Sequence, residues 1–200
     1  MKLPESYYQS SDVVALSRDL IGKYLFTKID GAVTGGYIVE TEAYNGAIDR
    51  ASHAYGNKLT PRTKTMFEKG GLAYVYLCYG IHEMFNIVTS VEGQPHAILI
   101  RAINPTDGID LMLLRRSMAS FKSNITSGPG SVAKALSISR AVNAFSLQGE
   151  TIWIEDRGLA FPNEEVAAVP RVGVGYAAED ALLPYRFYVK GNIFVSKPNK

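Results

Sequence analysis

Two carboxylates and a tyrosine stand at alternate positions in the otherwise apolar stretch G-Y-I-V-E-T-E-A-Y, residues 36–44. Its β-branched and aromatic residues predict a strand, and glycines mark its start. Because side chains alternate between the faces of a strand, Glu40, Glu42 and Tyr44 are expected on one face. A carboxylate taken out of water without a partner costs free energy or changes its pKa. This face is therefore either solvated at a sheet edge or built for chemistry.

Three more polar side chains, those of Tyr76, Asn86 and Arg101, are attached to apolar strands further along the chain. The strand predicted over residues 72–79 carries Tyr76 and ends in a turn at Tyr79. Asn86 and Arg101 lie on two apolar runs, which E-G-Q-P joins as a predicted hairpin. An arginine on an apolar strand usually has an anionic partner. Tyrosine rings near a carboxylate suit a pocket for a planar, electron-poor ring, although each tyrosine taken singly is more simply a core aromatic.

The remaining pattern predicts one mixed α/β domain over residues 1–200. Helices are predicted at 10–22 with Ser11 or Asp12 as N-cap, at 108–117 with Asp107 as N-cap, and at 132–136 after S-G-P-G-S. Further strands are predicted at 24–28, 84–91, 96–103, 151–155, 171–174 and 186–189. Residues 45–71 are irregular and carry several basic side chains. A loop of that length in a compact domain is usually functional.

Composition limits the classes of function. Hydrophobic residues make up 46% of the 200 residues, enough for a sizeable core and too many for a disordered chain. The net charge of +2 permits an anionic partner, but DNA binding would need a local basic cluster. A single cysteine, Cys78, excludes an internal disulfide and, with three histidines, leaves little material for a structural zinc site. The N-terminus shows no signal-peptide core and no stretch reaches the length of a membrane span, so a cytoplasmic protein is expected.

A series of short motifs occurs in one order along the chain. They are E-T-E-A-Y-N-G (40–46), A-S-H (51–53), T-P-R (60–62), A-Y-V-Y-L-C-Y-G (73–80), I-R-A-I-N-P (100–105), S-G-P (127–129), R-V-G-V-G (171–175) and R-F-Y-V (186–189). Together they resemble the alkyladenine (3-methyladenine) DNA glycosylase family, in its minimal, bacterial-type form. The resemblance implies an α+β fold: a curved, mostly antiparallel sheet surrounded by helices, with a protruding β-hairpin.

The resemblance also implies an activity, that of a monofunctional DNA glycosylase of base-excision repair. Such an enzyme flips an alkylated or deaminated purine out of double-stranded DNA and hydrolyses its N-glycosidic bond. The implied bases are 3-methyladenine, 7-methylguanine, hypoxanthine and ethenoadenine. No metal, other cofactor or catalytic lysine is implied. We expect a monomer associated with the nucleoid and without membrane contact.

Roles follow residue by residue from the same resemblance. Glu42 matches the general base, and Arg101 and the main-chain carbonyl of Val172 match groups that hold the attacking water. Tyr44 and Tyr76 match the aromatics that sandwich the flipped base. His53 matches a residue that contacts the base and backbone, and Asn86 matches one that excludes the exocyclic amine of guanine. Tyr79 matches the wedge that fills the place left in the base stack. Thr60 and Arg62 match residues that contact DNA.

Two other classes of protein stay open. A non-catalytic module that captures extruded bases would bind DNA, but it gains nothing from a carboxylate at Glu42 beside a phosphate-rich ligand. A small-molecule hydrolase or transferase would need neither Tyr79 at a loop tip nor the basic residues at 58–64. Steep elution by salt from immobilised DNA separates the DNA-binding classes from the last one.

Overall fold

An eight-stranded sheet forms the centre of the protein, seen here as a computed structural model that describes residues 1–196. The strands are β1 (Tyr24–Ile29), β2 (Ala32–Tyr44), β3 (Ala73–Cys78), β4 (His82–Thr89), β5 (His96–Asp107), β6 (Ile152–Glu155), β7 (Val166–Val169) and β8 (Arg186–Val189). Six of them pair in the order β3-β4-β5-β2-β1-β6, while β8 pairs with both β2 and β7. Every pairing between these strands is antiparallel, which confirms the predicted α+β class.

Strand β2 is an interior strand of the sheet, with a pairing partner on each edge at residues 35–37 and again at residues 40–42. β5 pairs with one edge of β2, while β1 and then β8 pair with the other. Its register against β5 shifts at three places, as at β-bulges, which bend a strand and re-aim its side chains. Gly36 allows the two strands to approach closely, because a Cβ at this position would lie 2.1 Å from the carbonyl oxygen of Asn104. In the carboxyl half of β2, the strands β5 and β8 therefore cover the two edges at residues 40–42.

Three α-helices pack with the sheet: α1 (Val13–Asp19), α2 (Ile109–Arg116) and α3 (Pro129–Ala135). Asp12 caps α1, accepting the Ala15 N–H at 2.9 Å, as one of the two predicted caps. The predicted cap of α2 is wrong, because Asp107 ends β5 and Gly108, with φ of 69°, occupies the N-cap. One continuous cluster of buried apolar residues runs between the helices and the sheet. In the described residues, no helix is long and apolar enough to cross a bilayer.

One predicted strand is wrong. Residues 171–174 form a turn in which Gly173 has φ of 77°, a conformation that a strand does not contain. The strand in this part of the chain is β7, which the sequence pattern does not predict and which pairs with β8. The turn after β7 consequently projects towards the carboxyl end of β2, where Val172 bonds to Glu42.

The long segment 45–71 is ordered, in keeping with a functional loop. It contains three short 3₁₀ turns, Gly46–Ile48, Tyr55–Asn57 and Lys64–Phe67. Ala54 and Met66 are buried against residues of β3, β4 and β5 in a second apolar cluster. This packing fixes the loop as one wall beside the carboxyl half of β2.

Candidate active site

A cleft of about 500 Å³ opens at the carboxyl half of β2 and continues into a small recess of about 40 Å³. Eight predicted site residues line this outer cleft: Glu42, Tyr44, His53, Arg62, Tyr76, Tyr79, Arg101 and Val172. Asn86 lies in the inner recess, which shares Tyr44, His53 and Tyr76 with the outer cleft. Thr60 lies instead in the turn before Arg62, where its N–H donates to Thr63 Oγ1 at 2.8 Å. The fold thus brings together nine of the ten residues from six parts of the chain: β2, the segment 45–71, β3 with the hairpin tip, β4, β5 and the turn after β7.

Glu42 is fully buried and accepts hydrogen bonds at both carboxylate oxygens. The Tyr44 hydroxyl donates to Oε2 at 2.8 Å, and the Val172 N–H donates to Oε1 at 2.8 Å. Nη1 of Arg101 lies 3.3 Å from the same Oε1. The three donors come from β2, from the turn after β7 and from β5. They hold the carboxylate in one orientation at the wall of the cleft.

Arg101 has the anionic partner that its position on an apolar strand predicts. Its Nε donates to Glu40 Oε1 at 2.8 Å, and the side chain is buried between Glu40 and Glu42. Burial alone would raise the pKa of Glu40, but the guanidinium groups of Arg101 and Arg186 outweigh that effect and lower it. Both glutamates are fully buried on an interior strand, so the alternative of a solvated sheet edge is wrong.

Two of the tyrosine rings that line the cleft, those of Tyr44 and Tyr76, lie against guanidinium groups. The guanidinium of Arg171 lies 4.9 Å from the ring centre of Tyr44, and that of Arg62 lies 4.7 Å from the ring centre of Tyr76. The ring of His53 meets that of Tyr76 edge-on, with ring centres 4.6 Å apart. Each of the two tyrosine rings is therefore in cation–π contact with an arginine on one side.

His53 is a neutral side chain at physiological pH. Burial, helped by the positive charge of Arg62, lowers the pKa of His53 to about 4. Its Nδ1 lies 3.0 Å from the hydroxyl of Tyr74, whose pKa burial raises to about 12. The tyrosine thus keeps its proton, and when it donates to Nδ1 the imidazole carries its own proton on Nε2. His53 is then a hydrogen-bond donor at the inner recess.

Asn86 and Tyr79 occupy opposite extremes of accessibility. Asn86 is buried, and its amide nitrogen donates to the carbonyl oxygens of Tyr74 at 3.2 Å and Met84 at 3.4 Å. Tyr79 is 88% exposed at the tip of the β3–β4 hairpin, with φ of 49°, and is followed by Gly80 with φ of 74°. The amide is fixed inside the protein, whereas the tyrosine is presented to whatever approaches the cleft.

Three functional candidates escape sequence reasoning. Tyr176 lines both parts of the cleft, and its hydroxyl donates to the carbonyl oxygen of Ala51 at 3.1 Å. Arg171 binds Asp49 through both terminal nitrogens, at 2.5 and 2.8 Å, and both side chains are buried. The motif R-V-G-V-G, which begins at Arg171, could have indicated this residue. The strand predicted over residues 171–174 gave no reason to expect a contact between Arg171 and Asp49.

The side chains that could bind a metal ion are not clustered within residues 1–196. In that part of the chain, no group of three or more His, Cys, Asp or Glu side chains is placed to hold a metal ion. The chemistry available in the cleft is that of one oriented carboxylate, two guanidinium groups, a neutral histidine and several tyrosines.

Comparison with known proteins gives consistent matches over nearly the whole chain. The family model described as Methylpurine-DNA glycosylase (MPG) matches residues 6–193. A Chlamydia felis protein is 43% identical over 196 residues, which are 98% of each chain. Proteins of Alkaliphilus oremlandii and Bacillus cereus strain G9842 are 42% and 41% identical, over 98% of this chain and 100% of theirs. All three are named as 3-methyladenine DNA glycosylase.

Proposed function

The chain belongs to the methylpurine-DNA glycosylase family, and we propose that it hydrolyses the N-glycosidic bond of 3-methyladenine and related damaged purines in double-stranded DNA. The related purines are 7-methylguanine, hypoxanthine and ethenoadenine. The observation that carries the proposal is the buried, oriented carboxylate of Glu42 in the same cleft as Tyr44 and Tyr76. A non-catalytic binder of extruded bases has no use for such a carboxylate.

The first step is capture of a flipped base. Flipping costs a few kcal/mol, least for a damaged pair, and stacking on aromatic side chains returns about 1–3 kcal/mol per base. Tyr44 and Tyr76 supply the rings, and the electron-rich face of a tyrosine ring attracts a purine made cationic by alkylation. Tyr79, exposed at the hairpin tip, fills the place that the base leaves in the duplex.

The second step is hydrolysis. Water held near Glu42, Arg101 and the Val172 carbonyl forms a bond from its oxygen to C1′ of the sugar, while its proton passes to Glu42. The bond between C1′ and the purine nitrogen breaks, and its electron pair leaves with the base. The carboxylate also stabilises the positive charge that develops on the sugar. Ring alkylation makes the purine a better leaving group, which favours release of damaged bases over normal ones.

Basic side chains near the cleft support DNA as the partner. Arg62 and Arg140 flank a groove of about 380 Å³ that runs beside Tyr76 and Leu77 of β3. If these arginines contact DNA phosphates, affinity for DNA falls steeply as salt rises. Retention on immobilised DNA with elution at moderate salt supports a DNA enzyme, whereas flow-through at low salt would favour a small-molecule hydrolase.

A panel of duplexes tests the substrate class. Each duplex carries one of the proposed lesions, and free base and intact abasic strand are measured separately under single-turnover conditions. Release of several alkylated or deaminated purines, with strand breakage only after alkali, supports a monofunctional glycosylase. Binding of these duplexes without release of any base would support the non-catalytic alternative.

Asn86→Ser is predicted to relax discrimination against normal guanine. The fixed amide of Asn86 reaches the inner recess, and guanine differs from hypoxanthine by one exocyclic amine that a rigid group can exclude by repulsion. We expect the ratio of guanine release to hypoxanthine release to rise about tenfold to a hundredfold, the usual range for discrimination by one small group. Excision of both bases is measured from matched duplexes, with urea unfolding as a check on stability. An unchanged ratio in a folded variant contradicts the assignment.

Tyr79→Ala is predicted to weaken binding to abasic-site DNA about tenfold to a hundredfold, the equivalent of one lost base-stacking contact. Because Tyr79 is 88% exposed, its removal should leave the thermal midpoint of unfolding unchanged. Leu114→Ala, at a 74% exposed position on α2, is the matched control and should bind like the wild-type protein. Equal affinities of all three proteins for abasic DNA would show that Tyr79 is not the wedge.

A further inference from the structure

A second carboxylate lies directly behind Arg101 and is held by the end of the described chain. Glu40 Oε1 accepts from Arg101 Nε at 2.8 Å, from Arg186 Nε at 2.7 Å and from Ser196 Oγ at 2.8 Å. Glu40 Oε2 accepts the Ser196 N–H at 2.7 Å. Arg101 Nη2 also donates to Ser196 Oγ, at 3.0 Å. Glu40 and Ser196 therefore hold the same guanidinium from two directions.

The charges of this group balance only when Glu42 is included. Two buried arginines, Arg101 and Arg186, face two fully buried glutamates, Glu40 and Glu42. Buried charges are tolerated when they are paired and hydrogen-bonded, and the geometry then has little freedom. Any change in the charge of Glu40 must therefore redistribute the pairing of Arg101.

The distances from the Arg101 guanidinium to Glu40 and to Glu42 differ. Arg101 lies at hydrogen-bond distance from Glu40, but its Nη1 is 3.3 Å from Glu42, longer than the roughly 2.9 Å of a typical N–H···O bond. The guanidinium thus makes its close contact with the carboxylate behind it. Glu42 Oε1 is already contacted by the Val172 N–H and by Arg101, whereas Oε2 accepts from the Tyr44 hydroxyl and keeps capacity for a water.

We propose that Glu40, secured by Ser196 and Arg186, is a positioning residue for the hydrolysis. It fixes Arg101 and prevents this arginine from closing into a full ion pair with Glu42. The inference rests on the proposed function. The family resemblance assigns no role to Glu40, and the inference gives it one in the reaction. It also makes the segment that ends at Ser196 a support of the active site.

The C-terminal segment is well placed for this role. Phe194 is buried in the main apolar cluster, and the carbonyl oxygen of Val195 accepts from Ser127 Oγ at 3.2 Å. The carbonyl oxygen of Ser196 accepts from Arg186 Nη2 at 3.2 Å. These contacts bring residue 196 next to a glutamate that is 156 positions earlier in the sequence.

The test compares Glu40→Gln and Ser196→Ala with the wild-type protein in single-turnover base release from a hypoxanthine duplex. With enzyme in saturating excess, a partly unfolded preparation changes the half-saturating concentration but not the maximal rate. We expect the maximal rate to fall about tenfold to a hundredfold in Glu40→Gln, since a closed Arg101–Glu42 pair weakens the general base. A smaller fall is expected in Ser196→Ala, which loses one hydroxyl and keeps the charges.

The pH dependence gives a second readout that loss of structure alone does not move. The charged and titratable groups facing Glu42 are Tyr44 on β2, Tyr76 on β3, Arg101 on β5 and Arg171 after β7. Removing the negative charge of Glu40 leaves a net positive charge beside Glu42, which favours its ionised form. The acid limb of the rate profile should therefore move to lower pH in Glu40→Gln.

Glu92→Gln and Ser120→Ala are matched controls, because both positions are exposed. Folded Glu40→Gln and Ser196→Ala variants with the wild-type maximal rate and acid limb would overturn the positioning role. If Glu40→Gln does not fold, Ser196→Ala decides the question alone by its maximal rate, and a folded Ser196→Ala variant with the wild-type maximal rate overturns the positioning role. Absence of base release by the wild-type protein would instead refute the proposed function, so the two failures are distinguishable.

Discussion

Glu42→Gln is expected to lower the single-turnover rate of base release by at least about 10²–10⁴-fold while leaving affinity for lesion-containing DNA intact. Glutamine keeps the shape of the side chain and an oxygen that accepts a hydrogen bond. It cannot take the proton of the water, and it carries no charge to stabilise the sugar cation. Loss of a general base alone accounts for the stated range, and the lost electrostatic stabilisation adds to it.

The control for this variant must be a carboxylate outside the cleft. Glu40 shares the strand face of Glu42, and the sequence alone makes Glu40→Gln the natural control. The structure shows why it is unsuitable: Glu40 is fully buried and bonded to two arginines. Glu92→Gln, at an exposed position in the turn between β4 and β5, serves instead and should keep wild-type turnover. A Glu42→Gln variant as active as Glu92→Gln would show that Glu42 is not the general base.

Arg171→Met is expected to reduce the free energy of unfolding by about 3–5 kcal/mol, because it leaves a buried carboxylate without its counter-charge. Arg171 binds Asp49 through two nitrogens, donates to the carbonyl oxygen of Ala43 at 2.8 Å and lies over the ring of Tyr44. Urea unfolding followed by circular dichroism measures the loss. Methionine fills much of the same volume, so the lost charge dominates the effect.

Two further variants identify the cause of that loss. Arg50→Met removes the arginine that follows Asp49 in sequence. Arg50 pairs with the solvent-exposed Glu179, so its loss should leave the free energy of unfolding essentially unchanged. A double variant, Asp49→Leu with Arg171→Met, replaces the buried pair with apolar groups and should recover much of the stability. If Arg171→Met unfolds at the same urea concentration as Arg50→Met, the buried pair does not hold this wall of the cleft.

Local sequence rules are sufficient for the centre of the site. The period of two along a strand places Glu42 beside Tyr44, and the structure joins them by a 2.8 Å hydrogen bond. The need of a buried arginine for an anion predicts a partner for Arg101, which proves to be Glu40 together with Glu42. These inferences succeed because each depends on neighbours in sequence or on one strong physical requirement.

The supporting contacts are not predictable in this way, because they join distant parts of the chain. Asp49 and Arg171 are 122 positions apart, and neither has a local pattern that indicates the other. The apolar residues of 171–174 suggest a strand, whereas Gly173 and the bond from Val172 to Glu42 make this segment a turn. Burial of Glu40 is likewise invisible until the sheet and the C-terminal segment are in place, since it depends on tertiary contacts with Arg186 and Ser196.

The role of Glu42 as general base is tested by single-turnover base release from DNA treated with a methylating agent, with wild-type protein and Glu42→Gln assayed side by side. Released bases are separated by chromatography, and the strands are examined before and after alkali. The wild-type protein is expected to release free 3-methyladenine and leave unbroken abasic strands, while Glu42→Gln binds the same DNA and releases no detectable base. Wild-type protein that releases no methylated purine, or a Glu42→Gln variant that releases it at the wild-type rate, would contradict this role of Glu42.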